Sequence, residues 1–289
     1  EMLYDENYIS DMEFLPGDPS VIIASNKEWG RIYKLTDDGN TQRVVYNDYG
    51  DGARRIELAP SVSEPNIIYA AVANTDNGLK SVLKSTDFGE TYNTIFVPEF
   101  TADKPNLLGW SMDGSGDGGQ GWYDLTLITD PNDSNIIFCG GVSTWKSTNG
   151  GLNWSLNSHW TGTGSTGIPT VHVDKHYMAY RGNVLYECND GGLYKTENGE
   201  QWENISNGII NSQMYRLGLS QTDKYDMIAG LQDNGTKNLS NGEWRDVNGG
   251  DGMECLIDYS DSNIQYAESQ YGNLKRTTNH WDNKSNIKP

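Results

Sequence analysis

Four groups of residues have types and spacings that could do chemistry. Asp113-Gly114-Ser115-Gly116-Asp117-Gly118 followed by Asp124 fits the D-x-S-x-D-G-x5-D spacing of a calcium loop, with Asp113, Ser115, Asp117 and Asp124 supplying oxygens and Gly118 the sharp turn. No flanking helices are evident, so an EF-hand is not implied, and a flexible Gly-rich loop that matches by chance is the alternative. His172, Asp174 and His176 alternate, so on a strand their side chains share one face. Two imidazoles and a carboxylate there could hold a transition metal. They could instead line a channel beside Asn189-Asp190-Gly191, Gln232-Asp233-Asn234 and Asp251, satisfied by one another and by water. Trp110, Trp122 and Trp160 lie in or near a Gly-rich stretch, where exposed rings beside carboxylates and amides would stack on sugars. The competing reading is that these rings pin the long loop. Finally, Asp124, Asp233 and Asp251 are the candidate carboxylates for glycoside hydrolysis, which by inversion needs two such groups about 6.5–9.5 Å apart.

The elements that must position these groups announce themselves as repeats. A Pro- or Asp-containing turn leads into a β-branched strand at Pro16 to Ala24, Pro65 to Ala70, Pro131 to Phe138, Asp223 to Ala229 and Asp261 to Ala267. A second phrase, S-x-D-x-G-x-[ST]-W, follows each at a similar offset. It is clearest as Ser85-Thr86-Asp87-Phe88-Gly89-Glu90-Thr91-Tyr92, Ser147-Thr148-Asn149-Gly150-Gly151-Leu152-Asn153-Trp154 and Lys195-Thr196-Glu197-Asn198-Gly199-Glu200-Gln201-Trp202. Weaker copies begin at Leu35, Asn238 and Arg276. The Asp position can bond nearby backbone N–H groups, Gly takes the φ > 0 conformation, and the aromatic residue packs over the hairpin. Six copies make the phrase a folding device. Their period of about 48 residues is that of propeller blades.

The expectation is therefore an all-β propeller of about six four-stranded blades, a single domain over 1–289. The blades fall near 1–50, 51–100, 101–160, 168–208, 212–248 and 252–289. In the first, Tyr8 to Phe14, Val21 to Ser25, Arg31 to Leu35 and Arg43 to Tyr46 are the expected strands. In the last, 283–289 offers little for an outer strand, so an incomplete blade and a segment of a larger propeller are expected.

The 289 residues include 40 Asp and Glu against 21 Lys and Arg, a net charge of −19. That balance repels nucleic-acid phosphates and anionic lipid, so neither is an expected partner. There is no apolar run long enough for a membrane helix. The chain starts Glu1-Met2-Leu3-Tyr4, so any signal peptide is expected to have been removed already. Cys139, Cys188 and Cys255 allow at most one bridge and read best as buried thiols.

These phrases resemble the Asp-box, or bacterial-neuraminidase-repeat, propellers: sialidases, xyloglucanases and sortilin-type ectodomains. Gly109 to Gly116, Gly121-Trp122-Tyr123-Asp124, His172 to His176, Gly230-Leu231-Gln232-Asp233-Asn234-Gly235 and Gly249 to Cys255 are similar to the secreted sortilin-like "glycosyl hydrolase" propellers of Bacteroidetes. That resemblance implies export by type IX secretion, an extracellular or cell-surface location, and a longer multidomain chain. The arginine cluster and Arg-Ile-Pro phrase of sialidases are lacking. The first reading is a non-catalytic module that binds a glycan or another extracellular partner, with calcium as the one candidate cofactor. The alternatives are a xyloglucanase-like glycoside hydrolase fragment and a structural segment of an adhesin or secretion cargo.

Overall fold

A computed structural model describes residues 9–287 apart from positions 28, 38, 49, 51, 162–166, 210 and 211. Tyr8, the start expected for the first strand, lies outside the described residues. All six expected sheets are present, each of four antiparallel strands in chain order. Blade 1 holds β1 Ile9–Leu15, β2 Asp18–Asn26, β3 Arg31–Thr36 and β4 Thr41–Asn47. Blade 2 holds β5 Ala53–Pro60, β6 Ile68–Asn74, β7 Leu79–Ser85 and β8 Asn93–Phe96. Blade 3 holds β9 Thr126–Thr129, β10 Ile137–Gly140, β11 Thr144–Ser147 and β12 Ser155–Ser158. Blade 4 holds β13 Lys175–Arg181, β14 Val184–Asn189, β15 Gly192–Thr196 and β16 Glu203–Asn204. Blade 5 holds β17 Met214–Leu219, β18 Met227–Leu231, β19 Gly235–Ser240 and β20 Glu243–Asn248. Blade 6 holds β21 Cys255–Ile257, β22 Gln265–Ser269, β23 Asn273–Thr277 and β24 Ser285–Ile287. The last sheet corrects one expectation. Ser285–Ile287 pairs with Leu274, Lys275 and Arg276 as a fourth strand, because three residues suffice to satisfy the outer edge of β23.

The chain divides into two compact units, Glu1–Asn207 with blades 1 to 4 and Gly208–Pro289 with blades 5 and 6. In the first unit the leading strands of successive blades neighbour one another: β1 meets β5, β5 meets β9, and β9 meets β13. Strand β6 is apolar on both faces because its sheet is covered by blade 1 on one side and blade 3 on the other. Ile68, Ala70 and Val72 of β6 pack toward Leu15, Val21, Ile23 and Ile32 of blade 1. The intervening Tyr69, Ala71 and Ala73 pack toward Leu125, Leu127, Ile137 and Trp145 of blade 3. Each fully buried Ile or Leu contributes roughly 1.5–3 kcal/mol relative to exposure. In the second unit a smaller core joins Ile228, Val247, Cys255 and Ala267, flanked by Ile257 and Trp281.

The repeat turns do what their residue types require. Ser85 Oγ accepts Gly89 N–H at 2.9 Å, while Asp87 Oδ1 accepts Thr91 N–H at 2.9 Å. Ser147 with Gly151, Asn149 with Asn153, Thr277 with Trp281 and Asn279 with Asn283 repeat those bonds at 2.9–3.0 Å. The backbone is left-handed at Gly89, Gly150, Gly151 and Gly199. Among the described residues no helix is long and apolar enough to cross a membrane. The three cysteines are free thiols; Cys139 and Cys255 are buried, while Cys188 is exposed.

Candidate functional site

The long β8–β9 connection, residues 97–125, is where the blade pattern is interrupted. Asn106, fully buried, is its anchor. Its Oδ1 accepts Leu79 N–H at 2.8 Å and Leu108 N–H at 3.2 Å, and its Nδ2 donates to the carbonyls of Gly116 and Gly118, both at 2.9 Å. Gly119 N–H and Gly121 N–H donate to Asp76 and Asn77 carbonyls at 3.1 and 2.8 Å. A Cβ at Gly119 would lie 2.3 Å from the Leu108 carbonyl oxygen. The glycines are thus required by close backbone approach, and the insertion is a packed platform over the β6–β7 turn.

The platform carries a group of carboxylates. Gln120 Nε2 donates to Asp174 Oδ1 at 2.8 Å and reaches Asp124 Oδ2 at 3.5 Å. Asp124 is fully buried, and its carboxyl group lies within hydrogen-bonding reach of that of Asp174. Burial, then the Asp174 charge, pushes the Asp124 carboxyl up to about 9; burial also raises Asp174. Asp124 Oδ1 accepts no hydrogen bond. Next to them Lys175 is fully buried, and its Nζ donates to the carbonyls of Val142 at 3.0 Å and His172 at 2.5 Å. Glu187, also fully buried, accepts from Thr144 Oγ1 at 2.6 Å and Asn189 Nδ2 at 3.2 Å. Desolvation lowers Lys175 and raises Glu187, and the opposite charge of each acts against that shift.

The His172, Asp174, His176 alternation is not a strand face. Strand β13 begins at Lys175, and Asp174 has φ of 63°, which breaks the two-residue period. Each side chain has a separate setting instead. His172 packs over Gly191, whose added Cβ would lie 2.2 Å from the ring, while Asp174 meets Gln120 and Asp124. His176 Nε2 sits 2.7 Å from Asp190 Oδ1, the contact that raises the imidazole most, and Tyr123 Oη donates to Asp190 Oδ2 at 2.9 Å. The Tyr123 ring stands edge-on to His176 at 4.8 Å. The expected neighbourhood of Asp190 and Gly191 is therefore present, while the shared strand face is not.

Trp110, Trp122 and Trp160 are 53%, 56% and 47% exposed, so each is about half open to solvent and half packed on the protein. Trp122 packs on Tyr123 with centroids 5.4 Å apart, and Trp160 stacks on His159 at 5.6 Å. His159 is in turn bonded to the Trp110 backbone. Of the polar loop 158–167, positions 162–166 lie outside the described residues.

The calcium-loop ligands do not converge. Asp113, Ser115 and Asp117 are exposed, and Asp113 Oδ1 accepts Ser115 N–H at 3.0 Å, closing a local turn. Asp124 points inward to Asp174, the Gly116 and Gly118 carbonyls are taken by Asn106, and the carboxylates of Asp113, Asp117 and Asp124 do not meet within 4.8 Å.

Asp233 and Asp251 belong to the second unit. Asp251 Oδ1 accepts Asp233 N–H at 2.7 Å, so this carboxylate caps the Gln232-Asp233-Asn234 turn, in which Asp233 has φ of 55°. Asn234 Nδ2 donates to the Gln232 carbonyl at 3.1 Å.

Sequence reasoning missed a cleft of about 500 Å³ along the leading strands of blades 1 to 4, lined by Asp11, Glu13, Arg55, Glu57, His176 and Tyr180 among others. Arg55 donates to the Tyr123 and Leu125 carbonyls at 3.2 and 2.9 Å and to Glu57 at 3.2 Å. Burial and then the Asp11 charge raise Glu13 to about 7, and burial raises Glu57 well above the carboxylate range. The available signal was the parallel between Glu13-Phe14-Leu15-Pro16 and Glu57-Leu58-Ala59-Pro60, which sets a glutamate at the same place in two blades.

No known family profile matches the chain. It is 30% identical over 195 residues to a xyloglucanase of Hypocrea jecorina, a match covering 60% of this chain and 21% of that protein. The chain thus spans about a fifth of the length of the curated relative it matches. Among solved structures, the GH74 xyloglucanase from Xanthomonas campestris aligns over 98% of this chain and 45% of its own, at 14% identity and a TM-score of 0.52. The Niastella koreensis GH74 enzyme aligns over 97% and 45%, at 16% identity and a TM-score of 0.48. The Xanthomonas likeness supports the propeller fold, and at that identity nothing beyond it.

Proposed function

We propose that this chain is the propeller portion of a glycoside hydrolase acting on a β-linked glucan of the xyloglucan class, and that it holds the glucan on the aromatic platform of blade 3. The observation that carries this reading is the resemblance to a xyloglucanase at 30% identity over 195 residues. Trp110, Trp122 and Trp160 support it, since each offers an exposed ring to stack on a pyranose face. The reading replaces a free-standing binding module with a substrate-holding part of a hydrolase. An extracellular location and a longer multidomain chain belong to the same proposal.

The buried carboxyls limit the catalytic assignment. Asp124, fully buried and facing Asp174, does not reach a glycosidic oxygen as it stands, and Asp251 is engaged as a turn cap. Glu13, at the wall of the 500 Å³ cleft and raised to about 7, has the protonation state of a general acid near neutrality. Affinity electrophoresis in xyloglucan gels is the test: the chain is retarded, and Trp110→Ala with Trp122→Ala together restores free mobility. Unretarded migration of the unaltered chain in xyloglucan and in mixed-linkage glucan sinks the proposal. Release of reducing ends, lost in Glu13→Gln, locates hydrolysis within this chain.

A further inference from the structure

We propose that His159 is a positioning residue of the aromatic platform and makes its hold on a glucan depend on pH: as a neutral imidazole it keeps Trp160 in place, and on protonation it releases the segment that carries that ring. This control rests on the glucan reading, since it acts on the same rings. His159 follows β12 directly and is buried. Its main chain is tied to the neighbouring segment, donating to the Pro169 carbonyl at 3.1 Å and accepting Val171 N–H at 3.2 Å. Its side chain holds what comes next. Trp160 stacks on the imidazole with centroids 5.6 Å apart, and Thr161 meets Nδ1 twice, through its N–H at 3.1 Å and its Oγ1 at 2.8 Å. The same ring rests against the Trp110 backbone, so one buried imidazole ties together the segments of two exposed tryptophans.

The Thr161 contact sets the protonation state of the ring. A backbone N–H only donates, so Nδ1 offers its lone pair and the single ring proton sits on Nε2. Burial acts in the same direction and holds the imidazole below its ordinary range. The charge of Lys175 on β13 also disfavours a second proton, while Trp110, Thr161, Pro169, Thr170 and Val171, which the described residues place against His159, carry no titratable side chain. Once protonated, Nδ1–H would face Thr161 N–H, donor against donor, with a new charge in a buried setting. Lifting the 160–161 segment relieves both and takes Trp160 out of position. The attraction of a charged ring for the Trp160 face does not repair this, because it ties the two rings to each other and not to the platform. The folded protein thus binds this proton less readily than the unfolded chain, so the contact is complete above the ordinary value of 6.5 and is lost as pH falls below it.

The test begins on the full chain without a glycan. With the histidine ring nitrogens labelled by nitrogen-15, NMR should show His159 as the Nε2–H tautomer near neutral pH. The Trp160 indole signal, assigned by its loss in Trp160→Phe, should move in acid with the same midpoint as His159. Affinity electrophoresis in xyloglucan gels then reads the consequence, an affinity about fivefold weaker at about pH 4.5 than at about pH 7.5. His159→Phe keeps a ring under Trp160 but has no lone pair and nothing to titrate, so it should bind more weakly at neutral pH and lose little more in acid. His159→Asn, whose Oδ1 stands in for Nδ1, keeps the Thr161 bond and should likewise bind independently of pH; it serves if His159→Phe does not fold. An Nδ1–H tautomer, a Trp160 signal that ignores the His159 titration, or equal retardation of the unaltered chain at both pH values overturns the proposal. So does an acid loss as large in the variants as in the unaltered chain. Absence of retardation at every pH, with His159 and Trp160 still titrating together, counts against the glucan reading alone and upholds the coupling of the two rings.

Discussion

The repeat turns and the blade 3 platform handle polar groups in opposite ways. At a turn such as Ser85 to Thr91 the side-chain bonds of Ser85 and Asp87 that shape it run between residues two to four apart. Its shape is set by its own sequence, and Asn66 and Lys34 reach it from outside only at the Thr86 and Phe88 backbone and at Glu90. On the platform, Gln120 reaches Asp174 54 residues away, Tyr123 reaches Asp190 67 residues away, and Thr144 reaches Glu187 43 residues away. The turns are solved locally, copied six times and mostly exposed. The platform is solved once, from distant parts, and leaves an acidic oxygen without a donor. Polar groups that local sequence does not satisfy are what distinguish a site from a scaffold in this chain.

That contrast is open to measurement, and the largest effect is expected at Lys175. Lys175→Met strips the buried carbonyls of Val142 and His172 of their donor and removes the positive charge that opposes the desolvation of Glu187, and should cost about 3 kcal/mol or more, read as a lowered urea midpoint. A loss under 1 kcal/mol would mean that Glu187 is simply neutral and that the pair is not a structural charge pair. Asn106→Ala removes four bonds at once from a buried position and should cost about 2–3 kcal/mol. Asp87→Ala in a repeat turn should cost no more than about 1 kcal/mol, because its partners turn to water. Equal losses for Asn106→Ala and Asp87→Ala would erase the distinction drawn above.

The remaining expected effect is one of pH. Glu13 is raised from 4.5 to about 7 by burial and by Asp11, with Glu57, Arg55 and His176 as the other acidic and basic groups lining the same cleft. The folded state therefore holds a proton that the unfolded chain has released, so the contribution is fully present below about pH 4.5 and is lost as pH rises through 7. In Glu13→Gln, stability should fall less between those two values. Chemical denaturation across the range checks this, and an unchanged slope would assign the pH dependence to other carboxyls.

The fold was legible in the sequence because each blade repeats a self-contained turn, and the φ > 0 positions carry glycine in most copies. The outer strand of blade 6 was missed because a three-residue strand with exposed side chains has no apolar pattern to detect. At the site, Asp124, Asp174, His176 and Asp190 were all visible as residues of interest, but their relations were not. Alternation predicted a shared face for His172, Asp174 and His176, and the left-handed backbone at Asp174 undid it. Gln120, Tyr123, Lys175 and Glu187 gave no signal, since their partners are assigned by blade packing and no local spacing encodes that. The calcium motif shows the converse failure: the spacing was right, while the hydrogen bonds of Asn106 and the inward turn of Asp124 separate its oxygens.

One feature of the repeat turns reaches past the blade that carries it. Lys34 of blade 1 bonds Glu90 in the repeat turn of blade 2 at 2.6 Å, and Lys146 of blade 3 bonds Glu200 in that of blade 4 at 2.7 Å. Both glutamates sit one residue after the turn glycine, and both lysines precede their own turn. In both pairs the lysine is largely buried and the glutamate open to solvent, so the pair favours one neighbour in one register. A copied blade thus arrives with a plug at one edge and a socket at the other, so an array could lengthen by duplication without new fittings.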